Sequence, residues 1–387
     1  MSLPCPRPGF GLYVHWPYCT RICPYCDFNV YAAKDRDPAV LLDAVAADIR
    51  AHAHAFRELE GPLDSVFLGG GTPSLLGPAQ IAGIVETAHA GFGLGPGAEI
   101  TLEANPRDVL LADLEGWRAA GVTRLSIGMQ SLDDAALAFL GRDHDAAAAR
   151  AAVARALPRF ESVSIDLIYA RPGQSRESWA GELHAALALG APHLSLYELT
   201  IAERTVFEKR VRRGEIQPMP DDDQAALYEL TQSITEKAGL PAYEISNHAA
   251  GPQHRSVHNM IYWQAGDWIG VGPGAHGRLT TDQGRIASLA HRRPEAYVTA
   301  AASGQPAWAS QERLSPLDTA REALAMGLRV ESGVDIARIE TLAGRALDTA
   351  ALEDMQANGL LRLRGRRASL TPQGRLLADR VAAEIAP

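Results

Sequence analysis

Cysteine is scarce, with four residues in a chain of 387, too few and too crowded together for a disulfide framework. No apolar run approaches the roughly 18 residues that a membrane helix needs. The opening Met-Ser-Leu-Pro-Cys-Pro-Arg-Pro has no hydrophobic signal core. These absences predict a protein that is neither exported nor membrane-spanning and that works in a reducing cytoplasm, although a peripheral membrane partner stays open. Basic charge is short as well: 37 Lys and Arg stand against 46 Asp and Glu, a net charge of −9. A general nucleic-acid binder is thereby excluded, because phosphate contacts need a basic surface. The one dense basic run, Arg362-Leu-Arg-Gly-Arg-Arg367, reads as a solvated hairpin.

Glycine (35), proline (24) and a hydrophobic content of 47% are plentiful, enough for a full core and many strand–loop–helix junctions. Short apolar segments rich in β-formers recur at 11–15, 65–69, 99–103, 124–128, 163–169 and 193–198 and read as buried parallel strands. Alanine-rich segments with helical periodicity lie between them, at 38–58, 78–91, 108–119, 145–157 and 175–189. Six βα units in succession predict a parallel sheet flanked by helices. Polar residues gather at the C-terminal ends of all six strands, which is barrel behaviour, whereas a doubly wound sheet uses one switch point. The expected fold is therefore α/β, a partial (β/α)6 TIM-like barrel.

The rhythm stops near residue 200. A long helix is expected at 221–238, followed by a glycine- and aromatic-rich stretch, 243–277, without clear helical period. Helices at 315–328, 333–342 and 348–357, a hairpin at 360–364 and 368–371, and a last helix at 372–385 suggest a C-terminal winged-helix-like module. The expected organisation is a tail over 1–9, the barrel over 10–215, an extension over 216–300 and the module over 301–387.

Three of the cysteines, Cys19, Cys23 and Cys26, fall within eight residues with the spacing C-x3-C-x2-C. Three thiolates on one loop hold three irons of a [4Fe–4S] cubane and leave the fourth iron open. A closed zinc site needs a fourth ligand, for which Asp27 is poor. Cys5 stands apart, in the tail. An open iron suits a small chelating ligand, and Gly69-Gly-Gly71-Thr72-Pro73 follows one βα unit later. Its bare backbone permits close approach of a carboxylate or amine. An amino acid chelates through its amine and carboxylate, and with an adenosyl sulfonium attached it is S-adenosylmethionine. Glu103, Gln130, Arg142 and Asp166, at or just beyond strand ends, are candidates to meet its charges and ribose hydroxyls.

Taken together, Tyr13-Val-His15-Trp-Pro-Tyr-Cys19, Cys23-Pro-Tyr25-Cys26-Asp-Phe28-Asn29, Phe67-Leu-Gly-Gly-Gly-Thr-Pro-Ser74, Ile127-Gly-Met-Gln-Ser131, Gly141-Arg-Asp-His144 and Ile165-Asp-Leu-Ile-Tyr169 resemble the radical S-adenosylmethionine enzymes. The resemblance is closest to the group of the oxygen-independent coproporphyrinogen III oxidases. It implies Cys19, Cys23 and Cys26 as cluster ligands. It implies Tyr13, Tyr25, Gly70, Gly71, Thr72, Glu103, Gln130, Arg142, Asp166 and Thr200 as cofactor contacts. It also implies an electron donor to the cluster and cleavage of the cofactor to methionine and a 5′-deoxyadenosyl radical.

One departure selects a subgroup. The oxidases of this group carry a further cysteine two residues after the third cluster cysteine, and here that position is Phe28. The chain instead carries His258-Asn-Met-Ile-Tyr262-Trp263, similar to the H-N-x-x-Y-W pattern of HemW-type haem chaperones. This likeness implies haem as cargo, a recipient haemoprotein as partner, and His258, Tyr262 and Trp263 as candidate haem contacts, with the imidazole as axial ligand. The alternative, oxidative decarboxylation of coproporphyrinogen propionates, is disfavoured by Phe28. The bland reading of the aromatic run is a core-filling segment.

Overall fold

The computed structural model describes residues 8–34, 37–57 and 61–387. Cys5, most of the expected tail, and residue 58 of the first expected helix lie outside these residues. Six parallel strands follow one another in both sequence and space: β1 (Phe10–Trp16), β2 (Leu63–Gly70), β3 (Leu94–Ala104), β4 (Arg124–Gln130), β5 (Ser162–Tyr169) and β6 (His193–Glu198). Their inward and outward residues are largely apolar, as strands covered on both faces require.

The sheet does not stop at six. β7 (Asn247–Ala249) pairs antiparallel with β6 at one edge. At the other edge β8 (Asp267–Val271) lies parallel to β1, with Tyr13 opposite Gly270 and Val14 opposite Val271. Three antiparallel strands, β9 (His276–Thr281), β10 (Gly284–Ala290) and β11 (Trp308–Arg313), continue outward from β8. The result is an eleven-stranded, mostly parallel open sheet, barrel-like over β1–β6.

Helices cover the outside. α1 (Pro38–Ala55) is capped by the Asp37 carboxylate, which accepts from the Ala39 amide. The expected single helix at 108–119 is two: Pro106–Leu111 and Leu114–Ala119. Ala112 is extended, and Asp113 restarts the second by accepting from the Gly116 amide. The supposedly aperiodic stretch 243–277 contains a short helix, Val257–Trp263, that carries the aromatic run, and it contains β8. Seven-residue and five-residue elements are too short to show a period.

The C-terminal region has its own core, including Leu324, Leu328, Ile339, Leu352, Leu361, Leu370 and Val381. A small antiparallel sheet of Val334–Asp335, Arg367–Leu370 and Leu361–Arg364 has one helix before it in sequence, two between its first two strands and two after it. Strand β11, within the expected module span, belongs to the large sheet, so the second core begins after Arg313. The expected last helix is broken into Pro372–Leu376 and Ala378–Glu384, because Leu377 leaves helical geometry. The module packs on the short helix Val257–Trp263: Arg338 donates to the Gln264 carbonyl at 2.8 Å and Arg255 pairs with Glu331 at 2.5 Å.

Candidate functional site

The C-terminal ends of β1–β6 open into a cavity of about 590 Å³, the size of a single small-molecule site. Its walls bring together fifteen of the sixteen candidate residues: all three cysteines, all ten candidate cofactor contacts, His258 and Tyr262. Trp263 is not among them. Its backbone carbonyl lies near Gly327 of the C-terminal module.

The cysteine loop leaves β1 and is held by short-range bonds. The Cys26 amide donates to the Cys23 carbonyl at 3.1 Å, and Tyr18–Cys19 pairs with Tyr31–Ala32. The three thiols are free, with Cys19 buried and the other two half-buried. Burial pushes the Cys26 thiol up to about 11, and burial also raises Cys19. Arg142 reaches Cys23: its Nη1 donates to Sγ at 3.2 Å, while Nη2 is fixed by Asn105 Oδ1 at 2.5 Å and the Gly128 carbonyl at 3.1 Å. A guanidinium on a thiol favours the thiolate that iron requires. Among the described residues no group of three or more His, Cys, Asp or Glu converges as a single metal ion would need. A cubane takes each thiolate on a different iron, so the loop fits a cluster and not a mononuclear ion.

Beside the cysteines, the glycine loop is a cradle with no room for side chains. Gly70 has φ +105°, and a Cβ there would meet the His15 ring at 2.5 Å. A Cβ on Gly71 would strike the Trp16 carbonyl oxygen at 2.8 Å. The Gly70 amide donates to Glu103 Oε2 at 2.9 Å. Burial, countered by this bond, lifts the Glu103 carboxyl to about 8, so it is largely neutral at pH 7 until a cation arrives. Asp166 accepts from Ser126 Oγ at 2.8 Å and Ser164 Oγ at 3.1 Å, and burial raises its carboxyl too. Gln130 closes β4 in the left-handed region at φ +66°, the kind of backbone outlier that clusters at binding sites. Buried Thr72 and exposed Thr200 complete opposite walls. This donor set and this bare backbone fit a cluster with a charged amino-acid ligand on its open iron.

His258 is 1% exposed. Its Nδ1 shares a 2.7 Å hydrogen bond with Ser65 Oγ, and Nε2 another of 2.7 Å with the Tyr262 hydroxyl. The ring packs against Phe67 at 5.0 Å, and burial holds it down to about 3, permanently neutral. Both ring nitrogens are engaged in this arrangement.

One cavity residue, Arg124, and residues packed around the chamber escaped the sequence reading. Arg124 and Glu99 form a buried pair at 3.4 Å on the floor, and Glu99 Oε1 also accepts from the Val257 amide at 2.9 Å. A charged residue at each of two otherwise apolar strands was the available signal. His15 bridges the Tyr13 hydroxyl (3.0 Å) and the Asn29 carbonyl (2.9 Å), a link that only the fold creates.

Residues 13–185 match the Radical SAM superfamily, and residues 314–377 match the HemN C-terminal domain. Over 98% of this chain and 95% of the relative, the chain is 37% identical to the heme chaperone HemW of Mycobacterium tuberculosis. It is 39% identical to the heme chaperone HemW of Escherichia coli over 72% of each. A third relative, the mitochondrial radical S-adenosyl methionine domain-containing protein 1 of Bos taurus, is 38% identical over 85% of this chain and 76% of its own. Among solved structures, coproporphyrinogen III oxidase (HemN) from Escherichia coli superimposes with a TM-score of 0.81 over 99% of this chain and 91% of that one. At 22% identity that likeness bears on the fold alone.

Proposed function

This chain belongs to the HemW-type branch of the radical S-adenosylmethionine proteins, and from that premise we propose that it is a haem chaperone, binding haem and passing it to a recipient haemoprotein. The observation that carries the reading is near-full-length similarity to relatives of that name, joined to Phe28 at the position where the oxidases of the group have a cysteine.

In this reading Cys19, Cys23 and Cys26 hold the cluster, while Gly70–Thr72, Glu103, Gln130 and Asp166 hold S-adenosylmethionine. Bound together, cluster and cofactor supply one-electron cleavage chemistry. The chain's own part is orientation and charge. Arg142 places its guanidinium on the Cys23 sulfur. Glu103 gives up its proton when the cofactor's positive charge comes near. The glycine backbone fixes the amino-acid end, and the barrel walls exclude water. Delivery requires an electron donor to the cluster and a recipient for haem. No helix of the described residues is long and apolar enough to cross a membrane; a cytoplasmic protein meeting its recipient there or at a membrane surface fits this reading.

The test is an anaerobic haem titration of the cluster-loaded chain, alongside an assay of coproporphyrinogen III turnover. Stoichiometric haem binding without decarboxylation is the expected result. Turnover to protoporphyrinogen, or no haem binding, overturns the proposal.

A further inference from the structure

Haem needs a place to sit, and the barrel interior does not provide one beside the cofactor. The cavity of about 590 Å³ suits one small-molecule ligand, and its walls are the cysteines, the glycine loop and the strand-end polar set. His258, deep within, has both ring nitrogens bonded. The mouth is different. Ile22 and Phe28 line the cavity yet are 47% and 61% exposed. Large apolar side chains seldom stand together in water without a partner. Arg21, also exposed, lines the same mouth.

Phe28 is exposed on a fixed support. The next residue, Asn29, donates through Nδ2 to the carbonyls of Pro273 and Arg292, both at 2.8 Å. Its own carbonyl is held by His15 Nε2 at 2.9 Å. A Cβ on Gly274 would meet the Asn29 side chain at 2.7 Å, so the turn after β8 is shaped to receive it. The loop is stapled from behind, and the exposed Phe28 lies at the mouth of the cavity. A preorganised aromatic costs little entropy when it is covered.

We infer that haem docks at this mouth, with its macrocycle face on Phe28 and Ile22 and a propionate toward Arg21, outside the cofactor chamber. The chemistry matches on both counts. A flat apolar ring covers two exposed apolar side chains, and a carboxylate meets the Arg21 guanidinium. This placement rests on the haem-chaperone reading and adds the site. It also makes Phe28 more than a missing cysteine: the position that serves the oxidases' loop becomes the platform for cargo.

The experiment is an anaerobic absorbance titration of the full, cluster-loaded chain with haem, with and without saturating S-adenosylmethionine. Phe28→Ala should weaken haem binding roughly tenfold, about the contribution of covering one phenyl face. Phe28→Trp should restore it, and Arg21→Glu should weaken it. Cluster absorbance, measured first on each variant, separates loss of the site from loss of the loop. The Phe28 backbone contact to Cys26 survives these changes. Unaltered affinity in Phe28→Ala, or exclusion of haem by S-adenosylmethionine, overturns the mouth site while leaving a haem chaperone intact. Absence of haem binding in the unaltered chain overturns the reading beneath it.

Discussion

Two parts of the cavity carry equally conspicuous motifs and are built on opposite terms. At the cysteine loop the reactive atoms are left available. The three thiols form no disulfide, Ile22 and Phe28 are exposed, and burial raises the Glu103 carboxyl to about 8. At the helix Val257–Trp263 each motif group that reaches the interior is satisfied. Ser65 and Tyr262 take both nitrogens of His258, and Glu99 takes the amides of Val257 and His258. The difference is one of unspent bonding capacity. A group with no partner in the protein is ready for a ligand, whereas a fully paired buried group holds the fold.

The contrast is broken most directly at its extremes. Cys23→Ala should abolish cluster absorbance almost completely while circular dichroism stays unchanged, because the loop is peripheral to the strands. Retention of a full cluster would refute the ligand assignment. At the floor, Arg124→Met leaves Glu99 buried without its cation. Stripping one partner from a buried pair costs about 3–5 kcal/mol, read as a lower urea midpoint, and an unchanged midpoint would show that the pair contributes nothing. His258→Ala removes a packed ring and leaves two hydroxyls unpaired. A loss of about 2–4 kcal/mol is expected. A variant of full stability with lost haem binding would return His258 to the role of ligand.

A smaller effect tests the availability of Glu103. Its carboxyl is raised to about 8, so the folded protein binds a proton there that a solvated carboxyl would release well below neutrality. The sign follows from linkage: stability contributed by the neutral form falls as pH rises from about 4.5 to 8. A cationic ligand favours the ionised form, so its binding releases a proton. Affinity for S-adenosylmethionine should therefore rise with pH between 6 and 8, by up to about tenfold per unit. Calorimetry in buffers of different ionisation heat reads this directly. Glu103→Gln should flatten the profile, and a flat profile in the unaltered chain would rule out the linkage.

Much of the barrel was legible in advance, for a local reason. A buried parallel strand is an unbroken apolar run, and all six predicted runs lie within β1–β6. The cofactor end was legible because its residues lie at strand ends, where chain order and spatial order coincide. β8 was missed because its partner β1 lies some 250 residues earlier and nothing local marks their adjacency. The Arg124–Glu99 pair and the His15–Asn29–Pro273 links were hidden for the same reason.

His258 shows how a motif's residues are separated by folding. The run His258-Asn-Met-Ile-Tyr262-Trp263 is as distinctive in the sequence as the cysteine loop, but its residues diverge on folding. His258 and Tyr262 are four apart and face the cavity together, as helical spacing dictates. Trp263, one residue on, is not part of the cavity wall. A short helix distributes neighbouring residues to different surroundings.

By itself the sequence determined the three thiols on one loop, the glycine cradle one βα unit later, the parallel barrel and the family. All of these are properties of short segments, set by residue type and spacing. Only the tertiary structure decided which polar groups remain unpaired. Whether an imidazole is free or a phenylalanine is left in water depends on partners brought from distant parts of the chain. That pairing made His258 a part of the framework and left Phe28 facing outward at the cavity mouth.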